Sequence, residues 1–237
     1  MILLASDYDR TLNTFDLDLY INIFYLEDFI KKGNLFLLNT GRPYKSIRRE
    51  INKYKIPYNY LSCNDGNILF DKSSNVLYNS NLNYNLFLEL ENLKKDFDII
   101  VEPIRYQDNI LEFEVIISKI SEKFLIELNK IMVKYNLCFK VFKQFGSYHL
   151  YIYSKNVNKR TPIEFLKNKY NINSQDIYTI GDHYNDLEMI KDYNGYAMKW
   201  AKKRVKEGSI DTCLTVSNLI KKINKRRWNY VYRWNNN

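Results

Sequence analysis

Short apolar runs that break off abruptly into Asp, Thr or Gly constrain this chain most. Met1 to Ser6 runs into Asp7-Tyr8-Asp9, Asn34 to Asn39 into Thr40-Gly41-Arg42-Pro43, and Asp176 to Gly181 into Asp182. Each run is too short for an ordinary helix and apolar on both faces, which is the pattern of a strand buried in a parallel sheet. Between the first two, Leu17 to Lys32 carries apolar residues at helical spacing and stops at Gly33. Pro43 suits the first turn of a helix to about Tyr54. Tyr60 to Cys63 reads as a third strand, and Asp65-Gly66, Ile68 to Phe70 and Asn75 to Tyr78 predict a small hairpin. Strand, helix, strand, helix, strand at short spacing predicts a parallel sheet flanked by helices.

The grammar changes near residue 80. Tyr84 to Phe97 and Ser121 to Tyr135 read as helices, the second with Ser121 as N-cap. Asp98 to Pro103, Leu111 to Ser118, Cys138 to Phe142 and Tyr148 to Tyr153 read as strands, a sequence of elements that suits an antiparallel α+β unit. The first grammar then returns: a helix from Asn158 to Tyr170, the strand Asp176 to Gly181, a helix from Asn185, and a last helix from Ser217 to about Tyr232. The expected architecture is α/β, a Rossmann-like parallel-sheet core over residues 1–80 and 156–237 with an α+β insertion over 81–155.

The polar residues at the strand ends carry the chemistry. Asp7 and Asp9 lie two apart, so on an extended chain they share a side, and paired carboxylates need a cation or a proton between them. Thr40 and Gly41 precede a helix, where a hydroxyl and a backbone N–H can hold a phosphate oxygen. Asp182, Asn185 and Asp186 add further polar groups after another strand, and Lys159 opens the helix before it. Taken singly, each is an ordinary turn, cap or surface residue. Together they converge on the C-terminal edge of one sheet, where open α/β folds bind ligands. Hard carboxylate oxygens suit Mg²⁺, and a Thr, a Lys and a metal around one point describe a phosphoryl site.

Asp-x-Asp-x-Thr, then Thr-Gly-Arg-Pro, a helix-initial Lys, and Gly-Asp-x-x-Asn-Asp, in that order, resemble the haloacid dehalogenase-like hydrolases. Ser62 to Ile68 resembles the Asn-Gly hairpin of their Cof-type phosphatases, and the insertion matches the type-two (C2) cap of that group. The resemblance implies a phosphatase acting through an aspartyl-phosphate: Asp7 as nucleophile and Asp9 as general acid and base. Asp7, the main-chain carbonyl of Asp9, and Asp182 would hold Mg²⁺. Thr40, Gly41, Lys159 and Asn185 would bind the phosphoryl group, and Asp186 would orient Lys159 or a metal-bound water. Two departures stand out, Arg10 and Arg160, where the family usually has Gly.

Charge bounds the partners. The net +9 is concentrated from Lys199 onward, where eleven Lys/Arg face only Glu207 and Asp211. Lys221, Lys222, Lys225, Arg226, Arg227 and Arg233 interleave there with Trp228, Tyr230, Tyr232 and Trp234, a pattern that can bind single-stranded nucleic acid, sit on an anionic membrane surface or pack as a basic terminal helix. No apolar run approaches the ~20 residues of a membrane span. The apolar start is short, has no basic leader and meets acidic residues, so a cytoplasmic location is expected. Cys63, Cys138 and Cys213 are widely spaced and expected to be reduced thiols. The expected partner is a small phosphorylated metabolite such as a sugar phosphate or phosphorylated cofactor, handled by a monomer or weak homodimer. The alternatives are a phosphomutase of the same superfamily and, from another class, a nucleic-acid-binding protein acting through the basic tail.

Overall fold

The computed structural model describes residues 1–234, with side chains through residue 225. It contains an eight-stranded sheet ordered β12-β11-β10-β1-β2-β3-β4-β5 and a separate four-stranded sheet ordered β6-β7-β9-β8. The first sheet comprises β1 (Leu3–Ser6), β2 (Leu35–Asn39), β3 (Tyr60–Cys63), β4 (Ile68–Asp71), β5 (Val76–Asn79), β10 (Ile177–Gly181), β11 (Asn194–Met198) and β12 (Asp211–Cys213). From β12 through β3 every neighbouring pair is parallel, and β4 returns antiparallel to β3. All residues of β1, β3 and β10 are buried, as the two-sided apolar runs require.

Two compact units result, Met1–Leu77 with Lys159–Asn237, and Tyr78–Asn158. In the first, helices α1 (Asp16–Lys31), α2 (Tyr44–Tyr54), α5 (Thr161–Tyr170), α6 (Leu187–Asp192), α7 (Lys203–Glu207) and α8 (Val216–Trp234) connect or follow the strands. Helix α1 buries Leu19, Leu26 and Phe29 and leaves Leu17, Tyr20 and Phe24 exposed. Asn22 ties it to the last helix by accepting from the Ser217 amide at 2.8 Å. Helix α8 buries Leu219, Ile220 and Ile223. Lys221 lies over the Tyr25 ring, and Lys222 donates to Asp211 at 2.5 Å. The side chains of Arg226, Arg227, Trp228, Tyr230, Tyr232, Arg233 and Trp234, on which the tail reading mostly rests, lie outside the described residues.

The second unit pairs β6 (Ile99–Tyr106), β7 (Asn109–Ile117), β8 (Leu137–Gln144) and β9 (Ser147–Ser154) antiparallel, with α3 (Tyr84–Asn92) and α4 (Glu122–Lys134). Its core includes Leu86, Leu90, Phe113, Val115, Phe124, Leu128 and Leu150. Ser121 caps α4 by accepting from the Phe124 amide at 3.2 Å.

Three expectations need correcting. Helix α3 ends at Asn92 and passes into a 3₁₀ turn, Leu93–Lys95, before Phe97. The segment after β10 is first a 3₁₀ turn, Tyr184–Asp186, and only then α6. Lys159 does not open a helix: α5 starts at Thr161 with Pro162 in its first turn, and Lys159 sits in the preceding turn. Pro lacks an amide hydrogen, so it fits the first helical turn and marks where the helix starts.

Among the described residues no helix is long and apolar enough to cross a membrane. None of the three cysteines forms a disulfide, and Cys63 and Cys213 are buried and Cys138 partly so.

Candidate active site

Strand β1 lies between β10 and β2, and the register aligns Ser6 with Ile180 on one side and Leu38 on the other. The chain therefore leaves all three strands at one edge. The Asp7 amide still donates to the Ile180 carbonyl at 3.0 Å. From β1 the chain proceeds to β2 and β3 on one side, then returns to β10 on the other. The crevice outside such a reversal is where open α/β sheets bind ligands.

Lys159 fills that crevice. Its ammonium donates to Asp7 Oδ1 at 2.5 Å and Asp186 Oδ1 at 2.7 Å, and its side chain is only 1% exposed. Asn39 fixes the turn that carries it, donating Nδ2 to the Lys159 carbonyl at 2.7 Å. Burial alone would depress the lysine, but the Asp186, Asp7 and Asp65 carboxylates hold it above its ordinary value and therefore charged. Asp7 is pushed up to about 7, chiefly by burial and further by Asp186 and Asp182, against the pull of Lys159. Asp182 is also raised, by burial first and Asp186 second.

Asp186 organises the turn from within. Its Oδ2 accepts from the Asp182 and His183 amides at 2.9 and 3.0 Å while its Oδ1 takes Lys159. Gly181 makes room for it, since a Cβ there would lie 2.4 Å from the Asp186 Cγ. His183 is exposed and serves as a cap in this turn.

Asp9 sits apart from the buried trio. Arg42 grips it with two bonds, Nε to Oδ2 at 2.7 Å and Nη2 to Oδ1 at 2.6 Å, and lies 5.0 Å from the Tyr8 ring centroid. Arg10 adopts a left-handed conformation, φ 59°, in the position where the resemblance had Gly. Its exposed guanidinium lies 3.4 Å from Asp182 Oδ2, and its carbonyl accepts from Trp200 Nε1 at 2.9 Å. Arg160 points elsewhere, to Asp192 at 2.6 Å.

Thr40 is fully buried, and its hydroxyl oxygen accepts from the Arg42 amide at 3.1 Å, which shapes the Gly41 turn. The 3₁₀ turn Asn64–Gly66 is stitched onto this loop. The Asn64 amide donates to the Arg42 carbonyl and the Asp65 amide to the Thr40 carbonyl, both at 3.1 Å. Asp65 Oδ1 then accepts from Asn185 Nδ2 at 2.7 Å. The side-chain oxygens of Thr11, Asn39, Ser62 and Asn185 are buried around these loops without a partner.

Asp7, Thr40, Gly41, Lys159, Asp182, Asn185 and Asp186 thus lie on loops at one sheet edge, with Asp9 held slightly outward by Arg42. The sequence reading assigned no role to Arg42 or Asp65. The Arg of Thr-Gly-Arg-Pro was visible, but its partner Asp9 is distant in sequence. Asp65 reads as a turn residue because it is one, with φ 52°. In the other unit, His149 bonds Glu114 at 2.8 Å across the strand pair.

The donor set suits a divalent cation. Asp7, Asp182 and Asp186 bring carboxylate oxygens within 4.8 Å of one another, all buried, with one buried ammonium against them. Hard oxygens carrying surplus negative charge match Mg²⁺. Both Asp186 oxygens already have partners, so Asp7 and Asp182 are the better ligands. The Asp9 carboxylate faces Arg42, and it is the resemblance that implies the Asp9 main-chain carbonyl as a further ligand.

A family model described as haloacid dehalogenase-like hydrolase matches residues 4–113 and 94–218. An uncharacterized protein of Mycoplasma capricolum is 27% identical over 239 residues, covering 83% of this chain and 90% of its own length. The solved phosphatase BT1666 of Bacteroides thetaiotaomicron is 17% identical with a TM-score of 0.74, covering 95% of this chain and 94% of its own. The sugar phosphatase BT4131 has a TM-score of 0.68 at 16% identity, covering 94% of this chain and 99% of its own.

Proposed function

The chain belongs to the haloacid dehalogenase-like hydrolases, and on that premise we propose that it is a Mg²⁺-dependent phosphatase cleaving a small phosphate monoester through an aspartyl-phosphate. The observation that carries the reading is a charged lysine buried between Asp7 and Asp186 at the switch point of a parallel sheet. A buried cation between carboxylates costs several kcal/mol in desolvation, and a preorganised donor at a ligand-binding sheet edge is what phosphoryl transfer needs.

In this reading the Asp7 oxygen not held by Lys159 attacks phosphorus. Lys159 and the Thr40 hydroxyl take the phosphoryl oxygens that gain charge, and the Gly41 turn lets the backbone approach them. The leaving oxygen takes a proton from Asp9, and the bond to phosphorus breaks as the acyl phosphate forms on Asp7. Asp9, now a carboxylate, removes a proton from water, which attacks the phosphorus and releases inorganic phosphate and free Asp7. For either step Asp9 must turn from Arg42 toward the reacting oxygen. Mg²⁺, held by Asp7, Asp182 and the Asp9 carbonyl, would supply charge neutralisation and orient the phosphoryl group. Asp186 keeps Lys159 charged and in place, and Asn185 supports the same loop.

A small phosphorylated metabolite is the proposed partner, and a sugar phosphate is the first class to test, since the neighbour BT4131 is named a sugar phosphatase. The test is phosphate release from a panel of sugar phosphates and phosphorylated cofactors, with Mg²⁺ and with chelator. Metal-dependent release of free phosphate supports the reading. Conversion of a sugar phosphate to its isomer without free phosphate would make the protein a mutase instead.

A further inference from the structure

We propose that Asp65 is a positioning residue that locks the Thr40–Arg42 loop and the Asn185 carboxamide into one phosphate-holding frame, an inference that rests on the phosphatase reading. Nothing in the catalytic sequence described above uses Asp65, yet it joins three separate segments. Its amide bonds the Thr40 carbonyl, its neighbour Asn64 bonds the Arg42 carbonyl, and its Oδ1 accepts from Asn185 Nδ2. The carboxylate also lies against Gly41, where a Cβ would sit 3.0 Å from Oδ1. Any side chain at residue 41 would therefore press on the very atom that holds Asn185.

The backbone is shaped for this contact. Asn64 and Asp65 both have φ 52° and are nearly buried. Two successive left-handed residues are uncommon outside Gly, and Asn and Asp tolerate that region best. The conformation turns the Asp65 side chain back across the Thr40–Arg42 loop toward Asn185. With Nδ2 committed to Asp65, the Asn185 Oδ1 is buried without a partner. The orientation of that carboxamide is thus set by Asp65. The role is geometric: an acceptor at a fixed point between the Thr40 loop and the Asp182–Asp186 turn.

Two variants separate acceptor from charge. Asp65→Gly keeps the left-handed backbone and removes the acceptor, and Asp65→Asn keeps acceptor and backbone and removes the charge. With the best substrate from the panel and Mg²⁺, Asp65→Gly should lower kcat about 30- to 100-fold with KM within about threefold, as expected for a misplaced reacting group. Asp65→Asn should recover kcat to within about fivefold of wild type. In Asn185→Ala, adding Asp65→Gly should cost nothing further, because both break one contact. A folded Asp65→Gly with kcat within threefold of wild type overturns the proposal, as does Asp65→Asn falling as low as Asp65→Gly. Should Asp65→Gly not fold, Asn185→Ala decides: it must show the same kcat loss, and near-wild-type kcat overturns the proposal. If wild type hydrolyses no monoester, the phosphatase reading fails separately. Calorimetry with inorganic phosphate then decides: weaker binding to Asp65→Gly than to wild type supports the frame, and equal binding or none to either overturns it.

Discussion

Replacing Lys159 by Met should expose how the buried charges are balanced. In the wild type, one ammonium serves Asp7 and Asp186 at 2.5 and 2.7 Å, and all three side chains are almost completely buried. Asp182 belongs to the same cluster, with oxygens within 4.8 Å of the other two. The variant leaves Asp7 and Asp186 without their cation, while Asp182 keeps only the exposed Arg10 guanidinium at 3.4 Å. Breaking a buried pair by removing one partner costs about 3–5 kcal/mol, because the remaining charge is uncompensated. In a chain of this size each kcal/mol moves Tm by about 2–4 °C, so a fall of roughly 10 °C is expected in chelator. Asp186 still has two backbone donors to Oδ2, so the loss should fall mostly on Asp7, which then takes up a proton. A divalent cation can stand in for the ammonium. At about 100 times its dissociation constant a ligand adds ~2.7 kcal/mol, and the gain should be larger in the variant than in wild type. Turnover should nevertheless drop by at least 10²–10³-fold, about the loss for one preorganised donor, because the cation cannot reach every phosphoryl oxygen Lys159 serves. Thermal melts of both proteins in chelator and in Mg²⁺, with phosphate release on the same samples, test this. A metal-free Tm within 2 °C of wild type, or activity within tenfold, would refute the charge argument.

Asp7→Asn should abolish phosphate release while the melt stays cooperative, and activity within tenfold of wild type would remove Asp7 as nucleophile. The same variant tests the titration. Asp7 is raised from 3.8 toward about 7, so the folded state binds its proton more tightly than the unfolded chain does. Its contribution to metal-free stability is therefore full below about pH 4 and is lost as pH rises toward 7. The Tm of Asp7→Asn minus that of wild type should grow over that interval, and a flat difference would count against it. Asp9→Asn should lose more rate on alkyl phosphates than on nitrophenyl phosphate, whose leaving group needs little protonation, and equal losses would take Asp9 out of the acid role. Gly181→Ala should cut activity by more than about tenfold by displacing Asp186, since the new methyl has no room; wild-type activity there would show that the turn yields freely.

The sheet and the strand-end loops were legible because the signals are local. A run such as Leu3–Ser6 is apolar on both faces and then breaks at Asp7, so strand and site are written side by side. Lys159 was harder. The helical spacing in the sequence extends back past it, but Pro162 fixes the helix start at Thr161 and leaves the lysine in a turn. The Arg42–Asp9 pair was not legible, because nothing in either segment specifies which acid a guanidinium will choose. Asp65 was read as hairpin punctuation for the right reason, a tolerance for positive φ, while its long-range acceptor contact leaves no trace in spacing. Helix α1 shows the limit from the other side. Leu17, Tyr20 and Phe24 fit helical periodicity as well as Leu19, Leu26 and Phe29 do, yet only the second set is buried.

The placement of β1 between β2 and β10 has a bearing on synthesis. One edge of β1 can pair as soon as Leu35–Asn39 has emerged, but its other partner begins at Ile177. At about 5–20 residues per second, that edge waits roughly 10–30 s, long compared with folding of most small domains. During the wait, residues 78–158 have all the strands of the four-stranded sheet and the helices that pack on it. Asp7 precedes its neighbours Lys159 and Asp182 by more than 150 residues. A ribosome stalled before residue 177 therefore holds an inert chain with a bare parallel-strand edge, the kind of surface that chaperones exist to shield.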